Sequence, residues 1–507
     1  MSRSRIDPAF SPLELRRAIA EFLPTRGLPL MAKHRWSDRM LAIVMLLMVW
    51  SPAAALKDRF TEARDALIHM YSSRKRPGKS FSGLMKIMTR QSQRLVALLA
   101  GELRASLPER LGKQWRIGRW LVFTVDGSKI DCPRTRANEK HFQSGAPHKS
   151  KKGGKKSPKG DKCKHEKGGK QQRQKGGQGH RQKGHKHQKA KGPKRGQEGE
   201  KHKRLKGGRH KSPKGGRNHS APQMLLVCLI HLGSGILWSW RRDTAKGSER
   251  GLLRQLLADL PAMALLVADA GFVGYELLRA IFQQGHSILM RVGANVTLIE
   301  KFGYEVEELR GGMVYLWPEK MRRSDQSPLL LRKIVVIDAR RNRRMCLLTN
   351  VLSSRDLSDA QAIELYCRRW GVELFYRAIK QTLGRHKMFS DSPLHAQVEL
   401  DWSVLAHGLL SLLHWQERKK KLPAHQGLAE ALRIVRQAMR GGGSDRRSLQ
   451  SQLRDIKSDE YVRRSSKKAR DWPHKKNDPP CGMPKMRMAT TQEIRTAKAL
   501  YAKKLAA

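Results

Sequence analysis

The 72 residues Lys149–Ser220 contain only three apolar side chains, Cys163, Ala190 and Leu205, and this divides the chain before any element is assigned. A segment with almost no apolar surface to bury cannot offset the entropy of ordering its backbone. It is mainly Lys, Gly, Gln and His, a low-complexity composition expected to be disordered. Any core must therefore come from residues 1–148 and 221–507. The segment carries 27 Lys/Arg against 4 Asp/Glu. As a free flexible chain its ends would stand about 45 Å apart. Its seven histidines lack regular ligand spacing, which argues against a built metal site. Two readings stay open: a loose electrostatic tether for a polyanion, or a tolerated expansion in a surface loop.

Charge is not confined to that segment. The whole chain has 103 Lys/Arg, 44 Asp/Glu and a formal charge of +59, so most of the excess lies outside it. Such a balance favours a polyanionic partner, nucleic acid ahead of a membrane surface, without implying catalysis or sequence specificity. The six cysteines contain no C-x-x-C pair, which speaks against a zinc ribbon or a disulfide framework and for reduced thiols in cytoplasm. The N-terminus MSRSRIDPAFSP lacks the apolar core of a signal peptide. Met40–Trp50 is very apolar but stops at Ser51-Pro52, too short to cross a bilayer comfortably, and reads as a buried helix.

Apolar spacing predicts helices over Pro12–Leu23, Arg35–Trp50, Lys57–Tyr71 and Gly83–Leu103, a helical region spanning 1–115. Its basic edges (Arg16, Arg17, Arg90, Arg94) suit a DNA-binding region or an ordinary packing domain. Strands follow at Leu121–Val125, Met224–Leu232 and Ile236–Trp240, the last two turned at Gly233-Ser234-Gly235. Then come a helix at Ser248–Leu260, a strand at Ala264–Ala268, a helix at Tyr275–Gln284 and a strand at Ser287–Val292. That order is the order of a ribonuclease-H-like α/β core, starting over 116–148 and continuing over 221–293. Residues 294–355 read as a β-rich insertion. Residues 356–440 close the core, with helices at His395–Glu417 and Gly427–Arg440, and 441–507 form a basic, partly disordered tail.

Within Leu365–Leu383, read as one helix, Tyr366, Arg369, Glu373 and Lys380 form a Y-x2-R-x3-E-x6-K string. At about 100° per residue all four fall within a stripe about 60° wide. Leu365, Val372, Tyr376, Ile379 and Leu383 form an apolar stripe beside it. Alone, such spacing also suits a solvated charged face. Two aspartates change the weight: Asp126 closes the first strand and Asp269 ends the strand Ala264–Ala268. Strand neighbours would bring them side by side, with Glu373 arriving from the helix. Two-metal phosphoryl chemistry needs about three carboxylates gathered from separate elements in this way. A turn aspartate remains an alternative for Asp126 taken alone. Asp131 would face the other way on a continuing strand. Asp338 lies in the insertion with no helix after it, and Asp243 suits a surface turn.

On these residues the chain resembles the DDE transposases of bacterial insertion sequences, in the insertion-sequence-four-like group. Asp126-Gly127-Ser128 with Pro133, Thr135, Asn138 and Phe142 is similar to its first motif, and Asp269-Ala270-Gly271-Phe272 to its second. Tyr366, Arg369, Glu373 and Lys380 reproduce its Y-R-E-K signature. The resemblance covers about residues 120–390 and implies a ribonuclease-H-like core with a β-rich insertion before the glutamate. It implies that Asp126, Asp269 and Glu373 bind Mg²⁺, with Mn²⁺ as a substitute, and that Tyr366, Arg369 and Lys380 contact DNA phosphates. It also implies cutting and joining of double-stranded DNA at terminal inverted repeats and target sites by a homodimer in the nucleoid. Trp317 stands where some relatives hold a flipped base, or is a core or exposed tryptophan. The Lys149–Ser220 insert departs from the pattern. A nuclease or inactive element remnant with the same core, and a basic nucleic-acid-packaging protein without catalysis, are the alternatives.

Overall fold

Five strands carry the acids. β1 (Val122–Asp131) opens with four buried residues and emerges at Asp126, which is half-buried, as are Gly127 and Ser128. β2 (Gln223–His231) is buried at every position after Gln223, the near-continuous apolar run expected of a strand covered on both faces. β3 (Leu237–Thr244) pairs antiparallel with β2, and β2 antiparallel with β1, Asp126 standing opposite Cys228. On its other side β1 runs parallel to β4 (Leu265–Ala268), and β4 parallel to β5 (Ser287–Val292). The expected strand Leu121–Val125 is thus longer, and Asp126 lies inside it rather than at its end. Pairing with the apolar β2 continues to Asp131 and Gln223, because the partner strand needs its backbone groups satisfied beyond the point where β1 leaves the core.

The β-rich block adds strands to the same sheet. These are β6 (Thr297–Ile299), β7 (Met313–Leu316), β8 (Leu329–Asp338) and β9 (Arg343–Thr349), with β9 antiparallel to β5. The tail supplies β10 (Lys485–Arg487), parallel to β6, so the sheet has ten strands among the described residues, in the order β10-β6-β7-β8-β9-β5-β4-β1-β2-β3. The computed structural model describes residues 12–23, 36–71, 77–142, 221–303, 311–338, 343–418, 427–441, 447–456 and 482–506. They belong to a single compact unit. The Lys149–Ser220 segment lies outside them.

Helices cover the sheet. The N-terminal set is α1 (Pro12–Ala20), α2 (Asp38–Trp50), α3 (Leu56–Met70) and α4 (Phe81–Leu111). α5 (Arg136–Phe142), α6 (Glu249–Leu256), α7 (Tyr275–Gln283) and α8 (Glu319–Arg322) lie along the sheet connections. α9 (Asp359–Arg368), α10 (Gly371–Arg377), α11 (Pro393–Arg418), α12 (Leu428–Arg440), α13 (Leu449–Arg454) and α14 (Thr491–Ala506) complete the set among the described residues. The apolar run of α2 is buried on all sides, capped by Ser37 accepting from the Met40 amide. Its Trp50 indole donates to the Ala406 carbonyl of α11 at 3.3 Å. Among the described residues no helix is long and apolar enough to cross a membrane. On α11, a Cβ at Gly408 would stand 3.2 Å from Leu237 of β3, so glycine lets this helix lie close to the sheet without displacing that side chain. Two of the basic N-terminal residues act as internal struts: Arg16 donates to the Met70 carbonyl at 2.8 Å and Arg94 to Asp38 at 2.5 Å.

One further expectation changes. Leu365–Leu383 is not one helix: α9 ends at Arg368, and Val372 and Glu373 bond back to Arg369 and Trp370, three residues earlier. The chain then tightens into α10 and ends in a π-helical turn, Ala378–Thr382. Gly371 is a poor helix former, and the joint keeps Arg369 buried while Trp370 is left 59% exposed. The apolar stripe nevertheless holds, with Leu365, Val372, Tyr376, Ile379 and Leu383 all buried. In the tail, residues 482–506 are folded. Glu493 at the start of α14 is buried and accepts from Arg487 of β10 at 2.6 Å and from Arg322 of α8.

Candidate active site

Parallel register aligns the two aspartates. Thr124 of β1 pairs with Val267 of β4, and the same spacing carries Asp126 to the level of Asp269, the first residue after β4. Each aspartate is held by the amide that follows it: Asp126 Oδ1 accepts from Gly127 at 2.8 Å, and Asp269 Oδ1 from Ala270, which starts a 3₁₀ turn. Burial pushes the Asp126 carboxyl above its ordinary value, the Gly127 amide and Arg369 oppose this, and Asp269 adds to it. Burial likewise raises Glu373, in the first turn of α10, with Arg369 opposing and Asp126 and Asp269 adding. The three acids therefore share one electrostatic field, with Arg369 as its principal cation.

Arg369 is 6% exposed. Its guanidinium lies 5.6 Å from the Tyr366 ring centre and 5.5 Å from that of Trp370, a cation held between aromatic faces. Its Nη2 stands 3.8 Å from Glu373 Oε1, beyond hydrogen-bonding distance, and its buried Nε has no acceptor among the described residues. Tyr366 is buried beside it, its phenol pushed up by burial and pulled back by Arg369. Lys380 lies apart, in the π-helical turn. Burial pulls its ammonium down and Asp131, five residues along β1 from Asp126, opposes this. The structure thus brings together Asp126, Asp269, Glu373, Arg369 and Tyr366, and sets Lys380 apart from them, beside Asp131.

Tyr376, read from sequence as one more apolar stripe residue, fixes the geometry. Its hydroxyl donates to the Asp126 carbonyl at 2.7 Å and accepts from the Cys228 amide at 3.1 Å. One helical turn after Glu373, this side chain ties α10 to β1 at the residue that must face that glutamate. Nothing in the spacing distinguishes it from Val372 or Ile379. Glu249 was also missed. It begins α6 and is half-buried, its carboxyl raised by burial, then by Asp126, with Lys129 opposing and Asp269 adding. Its only sequence signal was a glutamate after the N-cap Ser248, which reads as a helix-dipole residue.

The donor set is all oxygen, which suits a hard divalent cation, and such a cation would relieve the mutual repulsion of the acids. Among the described residues no group of three His, Cys, Asp or Glu is drawn together closely enough to hold a metal ion. Other sequence candidates serve the fold. Asn138 is buried and donates to the Pro133 and Ser390 carbonyls at 3.1 and 3.2 Å. Thr135 donates to the Asp391 carbonyl at 2.7 Å, and Phe142 is buried. Trp317 is 3% exposed and donates to the Gln326 carbonyl at 2.6 Å, so it is a core tryptophan.

Taken together, these features define a mixed α/β protein whose sheet brings separated carboxylates to one face beside a buried arginine. Residues 121–409 match the transposase DDE domain family, more than half of the chain, and the chain belongs to that family. It is 29% identical over 192 residues to transposase InsG for insertion sequence element IS4 of Escherichia coli strain K12, a match covering 36% of this chain and 42% of that protein. The chain thus spans under half the length of this curated relative. A piggyBac transposase synaptic complex with hairpin DNA aligns over 94% of this chain and 90% of its own, at 12% identity and a TM-score of 0.37. That likeness is too remote to bear on the fold or the chemistry.

Proposed function

We propose that this chain is the transposase of a bacterial insertion sequence, cleaving DNA strands at the ends of its element and transferring the freed 3′ ends to new DNA. The observation that carries the reading is the parallel register that sets Asp126 level with Asp269, with Arg369 3.8 Å from Glu373, all within the matched span. The order β3-β2-β1-β4-β5, antiparallel across the first three and parallel thereafter, supports a ribonuclease-H-like core with 294–355 as its insertion.

Asp126, Asp269 and Glu373 would hold the divalent metal ion that the family generally uses, here Mg²⁺ with Mn²⁺ as a substitute. When bound, such an ion activates the attacking oxygen and stabilises the leaving one. Arg369, beside Glu373, supplies positive charge that neutralises what develops on the phosphate oxygens. Tyr366 supports that guanidinium and adds its hydroxyl to the phosphate contacts. Lys380, in the π-helical turn beside Asp131, grips the backbone beside the cut and fixes register. Tyr376 keeps the Asp126 backbone against α10. The substrates are duplexes carrying the element's terminal inverted repeats and the target duplex, joined by a homodimer in the nucleoid.

The test is incubation of the purified chain with a linear duplex bearing the repeats that flank its coding region, with Mg²⁺ or with chelator. Cleaved and joined products should require Mg²⁺ and vanish in Asp126→Asn, Asp269→Asn and Glu373→Gln. Cutting of any duplex without joining would make the chain a nuclease. Near-wild-type cleavage by any one variant would remove that residue from the site.

A further inference from the structure

Glu249 is an acid that the transposase reading leaves unused. A carboxylate in the first turn of a helix is favoured by the positive end of the dipole whichever way it points. That preference accounts for an acid at 249 and leaves its direction unexplained. The side chain lies across Gly127: a Cβ there would stand 2.3 Å from Glu249 Oε1, and one on Gly271 would stand 4.0 Å from Oε2. Gly127 directly follows Asp126, and Gly271 comes two residues after Asp269. One carboxylate therefore reaches from the strand residue after Asp126 to the turn that follows Asp269. The charged groups facing it are Asp126, Lys129 and Asp269, so acids outnumber the cation.

A half-exposed glutamate set against two like charges is unfavourable unless a cation sits among them. Resting on the proposed metal site, the geometry points to Glu249 as a fourth carboxylate that faces the bound divalent cation and raises its affinity. The same placement explains Gly127: any side chain there would push Glu249 aside, at little cost to the strand because the displaced atoms are the free end of a flexible chain.

Mn²⁺ titrated into the full-length protein, with the free ion counted by paramagnetic resonance, tests this without DNA or turnover. Wild type, Asp126→Asn, Glu249→Gln and Gly127→Ala are compared, and metal-free thermal unfolding checks that each is folded. Glu249→Gln should weaken Mn²⁺ binding about 10-fold or more, the usual loss when an acid supporting a metal site is neutralised, without a lower metal-free Tm. Gly127→Ala, which keeps the acid but displaces it, should weaken binding in the same direction. Wild-type Mn²⁺ affinity in both of these variants, with binding lost in Asp126→Asn, would overturn the role of Glu249 alone. Absence of Mn²⁺ binding by the wild type would overturn the metal site itself and the proposed function with it.

Discussion

Glu399 and Asp126 are both carboxylates within the folded unit, and their surroundings differ in kind. Glu399, on α11, is 6% exposed and accepts from the Phe389 amide at 3.0 Å and from the Ser390 amide and hydroxyl at 3.1 and 2.8 Å. Arg385, 1% exposed, stands 3.7 Å away and donates to Ser403 Oγ at 3.0 Å. Both oxygens of that acid are met by the Phe389 amide, and Oε2 also by Ser390 donors that would otherwise be stranded. Asp126 accepts from the Gly127 amide, is set against Asp269, Glu373 and Glu249, and has Arg369 as its opposing cation. A buried acid that serves the fold is satisfied by the fold. One left short of donors among like charges is arranged for something that binds later.

Removing the satisfied acid should therefore cost the most. Glu399→Ala leaves Arg385 and the Phe389 and Ser390 donors buried without their partner. It should destabilise by about 3–5 kcal/mol, as breaking a buried pair does, measured by urea unfolding. A loss under about 1 kcal/mol would erase the contrast between the two regions.

On the catalytic side, Arg369→Ala should lower cleavage more than Lys380→Ala does, by about 100-fold against about 10-fold, because only Arg369 shares the field of the acids. Single-turnover rates on an end duplex measure the difference. Equal losses would show that the two cations act on one phosphate despite their separation.

Tyr376→Phe strands the Cys228 amide and frees the Asp126 carbonyl, and should cost about 1–3 kcal/mol. It should also slow cleavage while Mn²⁺ affinity changes less than in Asp126→Asn. Unchanged stability would mean that the hydroxyl does not hold α10 against β1.

How far this contrast could be read in advance depends on the residue. Asp126 and Asp269 could be singled out as candidates because each follows a short, mainly apolar run, the signature of a strand leaving a covered sheet. The order of the five central strands was legible for the same reason, although β1 runs on past Asp126 because β2 holds its backbone. The joint between α9 and α10 was not, because it arises from the burial of Arg369 between two rings, a tertiary demand invisible to periodicity. Tyr376 hides among apolar neighbours because its function is in one hydroxyl. Glu249 looks like any helix-starting acid until Gly127 is placed beneath it. β10 is a three-residue strand in a polar tail, and its partner, β6, lies far away in the sequence.

The account turns on whether Asp126 is held at a cost that a cation relieves. Its folded carboxyl is raised above its ordinary value. The resulting penalty is therefore full above that raised value and disappears as pH falls below the unfolded one. The decisive measurement is the unfolding free energy of wild type and Asp126→Asn at pH 7, without metal and then with Mg²⁺, repeated as the pH is lowered. Without metal, Asp126→Asn should be as stable as wild type or more so, by about 0.5–2 kcal/mol, the gain typical of relieving a functional site. That margin should shrink on acidification, and Mg²⁺ should stabilise only the wild type. A metal-free Asp126→Asn clearly less stable than wild type, with no selective effect of Mg²⁺, would place Asp126 with Glu399 among the structural acids and contradict the account.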